Sequence, residues 1–152
     1  MATYSFLDTY AVLSGPGGSI NLGAGAAVAE EGITIKPTND INTMTIGADG
    51  EGMHSLHADK SGDFVVRLLK TSPVNSMLAE MYAMQTSASV LHGNNVITLA
   101  GIATGDSITM RQCAFKKAPD LSYVKDGGMN EWEFHCVAID RTLGDGSALG
   151  VL

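Results

Sequence analysis

Glu131-Trp132-Glu133-Phe134-His135-Cys136-Val137-Ala138-Ile139 is the stretch on which the fold turns. Successive side chains of an extended strand point to opposite faces. Trp132, Phe134 and Cys136 therefore share one face, and Glu131, Glu133 and His135 share the other. As a strand they separate cleanly into a core face and a row of charge.

Reading outward, residues 96–99 and 107–115 are further strands separated by a turn at 101–105. Phe64, Val66 and Leu68 are matched on the opposite face by Val65 and Leu69, which predicts a deeply buried strand over 64–69. Residues 40–63 alternate Met44 and Ile46 with Thr43 and Thr45, break at 47–52 and resume through 53–58, the pattern of a long hairpin. Residues 6–13 read as a strand closed by Gly15-Pro16-Gly17-Gly18, with a partner beginning at Ile20-Asn21-Leu22. A small-residue stretch over 23–29, a charged turn at Glu30-Glu31-Gly32 and a short strand over 33–35, ended by Pro37, follow.

One segment breaks the pattern. Ser72 supplies a cap, Pro73 suits a first helical position, and Val74, Met77, Leu78, Met81 and Tyr82 recur at spacings of three and four, which predicts one helix over about 73–87 packed on a sheet. Eighteen glycines and one helix in 152 residues, 45% of them hydrophobic, indicate a mainly β fold of sandwich or barrel type. A chain of this length buries about 70% of its unfolded surface, enough for a single domain over 1–152. The final segment, 142–152, is glycine-rich with apolar Leu149, Val151 and Leu152, and is expected to order against a partner, as are residues 1–5.

Sixteen acidic against nine basic residues give a net charge of −7, a field that repels nucleic acid and anionic lipid. No apolar run approaches the roughly 20 residues of a membrane span, and residues 1–5 lack the features of a signal peptide, so cytoplasmic synthesis is expected. Cys113 and Cys136 are too few for a disulfide framework and are read as buried free thiols.

Motifs that carry catalysis fail on inspection, and no catalytic, cofactor or metal residue is assigned. Leu22-Gly23-Ala24-Gly25-Ala26-Ala27-Val28 resembles a dinucleotide-binding loop, but its third glycine is Val28 and too few residues remain for the helix that would face a pyrophosphate. Gly15-Pro16-Gly17-Gly18-Ser19 lacks the Gly-Lys-Ser/Thr ending of a phosphate loop. His54 and His57, near Asp59, are spaced so that a strand points them apart, which disfavours a shared metal. His135 and Cys136 diverge for the same reason, so they are no thiolate–imidazole pair. The carboxylates of Glu30, Glu31, Glu131 and Glu133 show no apolar pocket that would split their pKa values. The positive run Lys116-Lys117, with Arg111 and Lys125 nearby and Tyr123 among them, is too thin for nucleic-acid readout and is read as a salt-bridging edge toward an acidic neighbouring subunit.

Residues 105–134 run Gly-Asp-Ser-Ile-Thr-Met-Arg-Gln-Cys-Ala-Phe-Lys-Lys-Ala-Pro-Asp-Leu-Ser-Tyr-Val-Lys-Asp-Gly-Gly-Met-Asn-Glu-Trp-Glu-Phe. With Thr3-Tyr4-Ser5-Phe6-Leu7-Asp8, residues 29–46 and Leu68-Leu69-Lys70-Thr71-Ser72-Pro73-Val74-Asn75, this sequence resembles the inner tail tube proteins of contractile-tailed, myovirus-type bacteriophages. The resemblance implies a β-sandwich or barrel subunit with one flanking helix. It also implies homohexameric rings stacked into a tube, sheath, baseplate and tail terminator proteins as partners, residence in the virion tail, no cofactor and passive passage of double-stranded DNA. Glu131 and Glu133 are the candidate lumen or inter-subunit carboxylates, with Asp49 and Glu51 at the hairpin tip as alternatives, and Arg111, Lys116, Lys117 and Lys125 are the candidate basic edge. The hairpin over 40–63 and the chain ends are the candidate ring-to-ring contacts. The tube of a tailocin or a type VI secretion-like device has the same architecture. A small nucleotide-binding enzyme is the reading from a different class.

Overall fold

The computed structural model describes residues 3–23, 25, 28–102 and 104–144. The chain runs β1 (Thr9–Gly15), β2 (Gly18–Asn21), β3 (Val28–Pro37), β4 (Asn42–Ile46), β5 (Gly52–Leu56), β6 (Gly62–Leu69), α1 (Val74–Thr86), β7 (Asn95–Gly101), β8 (Asp106–Lys117) and β9 (Met129–Thr142). Among the described residues, seven strands form one sheet in the order β2-β1-β7-β8-β9-β6-β3, every pairing is antiparallel, and β4 pairs only with β5. The fold is mainly β with one helix, as expected. Among the described residues the sheet does not close into a barrel, and β2 and β3 are its two edges.

One face of the sheet carries the core. Leu13, Ile97, Met110, Phe64, Val66, Leu68 and Phe134 are fully buried, and α1 lays Val74, Leu78 and Met81 on them. Each such side chain contributes about 1.5–3 kcal/mol by leaving water. Phe115 centres an aromatic cluster, 4.5 Å from Phe134 and 6.0 Å from Trp132 by ring centroid, with Tyr82 of the helix set edge-on at 5.5 Å. Ser72 Oγ accepts the backbone N–H of Val74, so the predicted cap is made.

Three local expectations change. Residues 6–8 form a 3-10 turn rather than the start of β1, because Ser5 Oγ accepts the Leu7 N–H and its carbonyl accepts that of Asp8. The turn expected at Glu30-Glu31-Gly32 lies instead within β3, which extends back to Val28 and absorbs the interruption as a register shift against β6, with Gly32 at φ 66°. The helix stripe also differs: Met77 is exposed, and the fourth inward position is Gln85. Its amide exchanges hydrogen bonds of 2.7 Å in both directions with the buried side chain of Asn95, and Gln85 Nε2 also donates to the Pro16 carbonyl. Hydropathy alone does not reveal a polar pair that satisfies itself inside a core.

Candidate functional site

The sheet has an outer face as well as a core face, and register places the predicted residues on it. Across β6 and β9, Asp63 stands opposite His135, Val65 opposite Glu133 and Arg67 opposite Glu131. On this face two ion pairs and one histidine–carboxylate hydrogen bond form a ladder. His135 Nδ1 lies 2.8 Å from Asp63, Arg67 Nε 3.4 Å from Glu131, and Lys116 Nζ of β8 3.2 Å from Glu133. Arg67 also donates to Thr34 Oγ1 of β3 at 2.9 Å. Lys116 beside Glu133 holds its carboxyl below the usual carboxylate range. The predicted division of β9 into a core row and a charged row is observed, and the charge is compensated within the chain.

The basic residues do not line a sheet edge. β8 lies inside the sheet between β7 and β9, Arg111 pairs with Asp140 at 2.8 Å, and Lys116 and Lys117 sit at the strand end beside Glu133. Lys125 is exposed in the segment that joins β8 to β9. That segment also exposes Leu121, Tyr123 and Val124. Lys70 pins it: its ammonium lies 3.9 Å from the Tyr123 ring centroid and donates to the Ser122 carbonyl.

Asp49 and Glu51 occupy the exposed tip of the β4–β5 hairpin, where Asp49 Oδ1 accepts the Glu51 N–H. The hairpin strands are five residues each, shorter than the predicted span. They stand off the sheet, and register puts Met44, Ile46 and Leu56 on one face, all exposed. A two-stranded hairpin on its own is marginal in water. Here side chains brace it: Asn42 to His54, Thr43 to His57, and Asn39 to Asp59 at its root. Ser61 and Asn39 donate to Asp59 and hold its pKa at about 2.

The segments that resembled catalytic motifs form strands and turns where they are described. β3 begins at Val28, and residues 24, 26 and 27 of the dinucleotide-like stretch lie outside the described set. Gly17 and Gly18 have φ of 108° and 121°, the turn between β1 and β2. His54 and His57 bond to Asn42 and Thr43, which neighbour one another on β4 and so point to opposite faces. Among the described residues no cluster of metal-ligating side chains forms, and no helix is long and apolar enough to cross a membrane.

Sequence reading missed one feature: Cys113 and Cys136 are directly opposed across β8 and β9, with sulfurs 3.0 Å apart and both free. Two cysteines in separate strands give no sign of their mutual register.

An antiparallel sheet with one flanking helix and a separate two-stranded hairpin is similar in fold to chains of contractile injection systems. Similar solved structures are the anti-feeding prophage tube-terminating cap (TM-score 0.57, 6% identity, covering 95% of this chain and 93% of that one) and the sheath–tube complex of an extracellular contractile injection system (0.54, 9%, 93% and 92%). A chain of the six-fold symmetrised anti-feeding prophage baseplate is another (0.57, 12%, 93% and 96%). No curated protein matches significantly. The chain matches the Bacteriophage PhiTE tail tube protein family over residues 1–144 and belongs to that family.

Proposed function

We propose that this chain is a structural, non-enzymatic subunit of the inner tube of a contractile phage tail, forming stacked hexameric rings through which the genome is ejected. Membership of the tail tube family over residues 1–144 carries this reading. The six-fold symmetry stated for the baseplate neighbour supports the ring, and the sheath–tube neighbour supports a surrounding sheath as partner. Baseplate and tail terminator proteins are the expected contacts at the two tube ends, and the virion tail is the expected location.

The geometry supports the mechanism at two places. The ladder on β6, β8 and β9 offers DNA a charged but compensated wall. A duplex with one negative charge per about 1.7 Å finds no unpaired row of cations there. Glu131 and Glu133 are thus lumen candidates whose partners Arg67 and Lys116 reduce both repulsion and grip. The apolar face of the β4–β5 hairpin and the open edges at β2 and β3 are suited to another copy, since unpaired strand edges and exposed apolar groups favour association. Asp49 and Glu51 at the tip then meet the next ring rather than the lumen.

Reversing charge with Glu131→Lys and Glu133→Lys should leave tubes intact and slow DNA ejection, with the slowing relieved by salt. Unchanged ejection from well-formed tubes would remove these residues from the lumen. The solved neighbours favour one second reading, a tube in an injection device that carries no genome. Nuclease-protected DNA in purified particles selects the phage tail; its absence from intact contracted particles selects the device.

A further inference from the structure

Cys113 and Cys136 are the sole sulfhydryls of the chain, and the fold brings them together. They face each other in register at the middle of the sheet, on its core face, 0% and 2% exposed. A disulfide needs sulfurs at about 2.0 Å and Cβ atoms at about 3.5–4.5 Å, close to what directly opposed strand residues present. From 3.0 Å, side-chain rotation closes most of the gap with the register unchanged. On its other side Cys136 stands opposite Gly62, which has no side chain to obstruct that rotation.

The buried thiols lie next to an irregular place in the sheet. One residue before Cys113, Gln112 has φ of 53°, and both strands change which side they bury between Met110 and Cys113 and between Cys136 and Ile139. Gln112 and Val137 are exposed at this fault, immediately beside the thiols. A small reactant reaches the buried thiols only if the sheet opens locally at this fault. When one thiol ionises it is Cys113, because the hydrogen bond from Cys136 stabilises its thiolate, whereas that bond, burial and the nearby Asp63 raise Cys136.

We propose that Cys113 and Cys136 form a peroxide-oxidised dithiol that closes to an intrachain disulfide and locks β8 to β9. The Cys113 thiolate attacks one oxygen of hydrogen peroxide, forming Cys113 sulfenic acid, and the departing hydroxide takes up a proton to leave as water. The Cys136 sulfur then attacks the Cys113 sulfur, the S–O bond breaks, and the departing hydroxyl takes the Cys136 proton as a second water. Two thiols are oxidised by two electrons, and one peroxide becomes two waters. This inference is independent of the tube reading, because it rests on one chain's geometry.

Treating the folded protein with hydrogen peroxide and measuring intact mass and disulfide-linked peptides tests it. The expected product is lighter by two hydrogens, links Cys113 to Cys136, migrates as a single chain under denaturing, non-reducing conditions and reverts with dithiothreitol. Its folding equilibrium constant rises on the order of a hundredfold, read from the denaturant midpoint. The Cys136→Ala protein should instead gain oxygen at Cys113. Addition of oxygen without linkage in the unaltered protein, a link between chains, or thiols that stay free while the denatured chain oxidises would each overturn the proposal.

Discussion

Gln112 holds a backbone conformation that L residues adopt at a cost of about 1–2 kcal/mol. It sits where two residues of β8 oppose one of β7, a bulge position that suits glycine. Gln112→Gly should therefore raise stability by about 0.5–1 kcal/mol after the extra freedom of the unfolded chain is counted; an unchanged or lower denaturation midpoint would contradict this. Gly62 shows the reverse constraint. A Cβ there would meet the Ile139 side chain and stand 2.6 Å from the Lys36 carbonyl oxygen, so Gly62→Ala should destabilise by about 1–3 kcal/mol in chemical denaturation. The alternation of Trp132, Phe134 and Cys136 with Glu131, Glu133 and His135 was legible because one period spans the whole stretch. The fault at Gln112 and Val137 was not, since a bulge reverses the alternation without any change in residue type.

At the scale of elements, α1 and the β4–β5 hairpin behave differently. The helix was legible from Ser72, Pro73 and its apolar spacing, but the inward turn of Gln85 depended on a partner ten positions away. Asn95→Ala leaves the buried Gln85 amide without its reciprocal bonds and should cost about 1–3 kcal/mol. Replacing both amides with leucine should recover much of that loss, and a double variant as unstable as the single one would show that the pair matters by shape rather than by hydrogen bonding. The hairpin depends on side-chain bracing at its root. Asp59 has a lowered pKa, so its contribution is fully present above the ordinary carboxylate value of 3.8 and is lost as pH falls through about 2. The Ser61 amide proton resonance should titrate with a midpoint near 2; a midpoint near 4 would mean that the bonds to Asn39 and Ser61 do not persist in solution. The hairpin was expected from the alternation of Met44 and Ile46 with Thr43 and Thr45, yet its strand pairing stops at Asn42 and Leu56, and the polar residues 57–61 add no further strand.

For the whole molecule, acidic composition alone left the role open, and the resemblance of residues 105–134 to tail tube proteins supplied the class that the family match shows. Composition suggested repulsion of DNA. The structure refines this into compensation, since Arg67, Lys116 and His135 each meet a carboxylate on the outer face of the sheet. The sheet ends at two open edges, and the hairpin exposes Met44, Ile46 and Leu56, so a solitary subunit leaves unpaired strand and apolar surface in water. Leu56→Asp with Met44→Asp should abolish stacking while leaving the far-ultraviolet spectrum and melting temperature nearly unchanged, because neither side chain packs in the core. The hairpin over 40–63 was a candidate contact from the sequence, but the face that its apolar side chains share was not legible: an exposed methionine and a buried one look alike until register assigns their faces. Electron microscopy of the purified protein tests the central claim most directly. The account predicts rings with a central channel, six-fold in projection and stacking into tubes; globular monomers at every concentration and salt condition would contradict it.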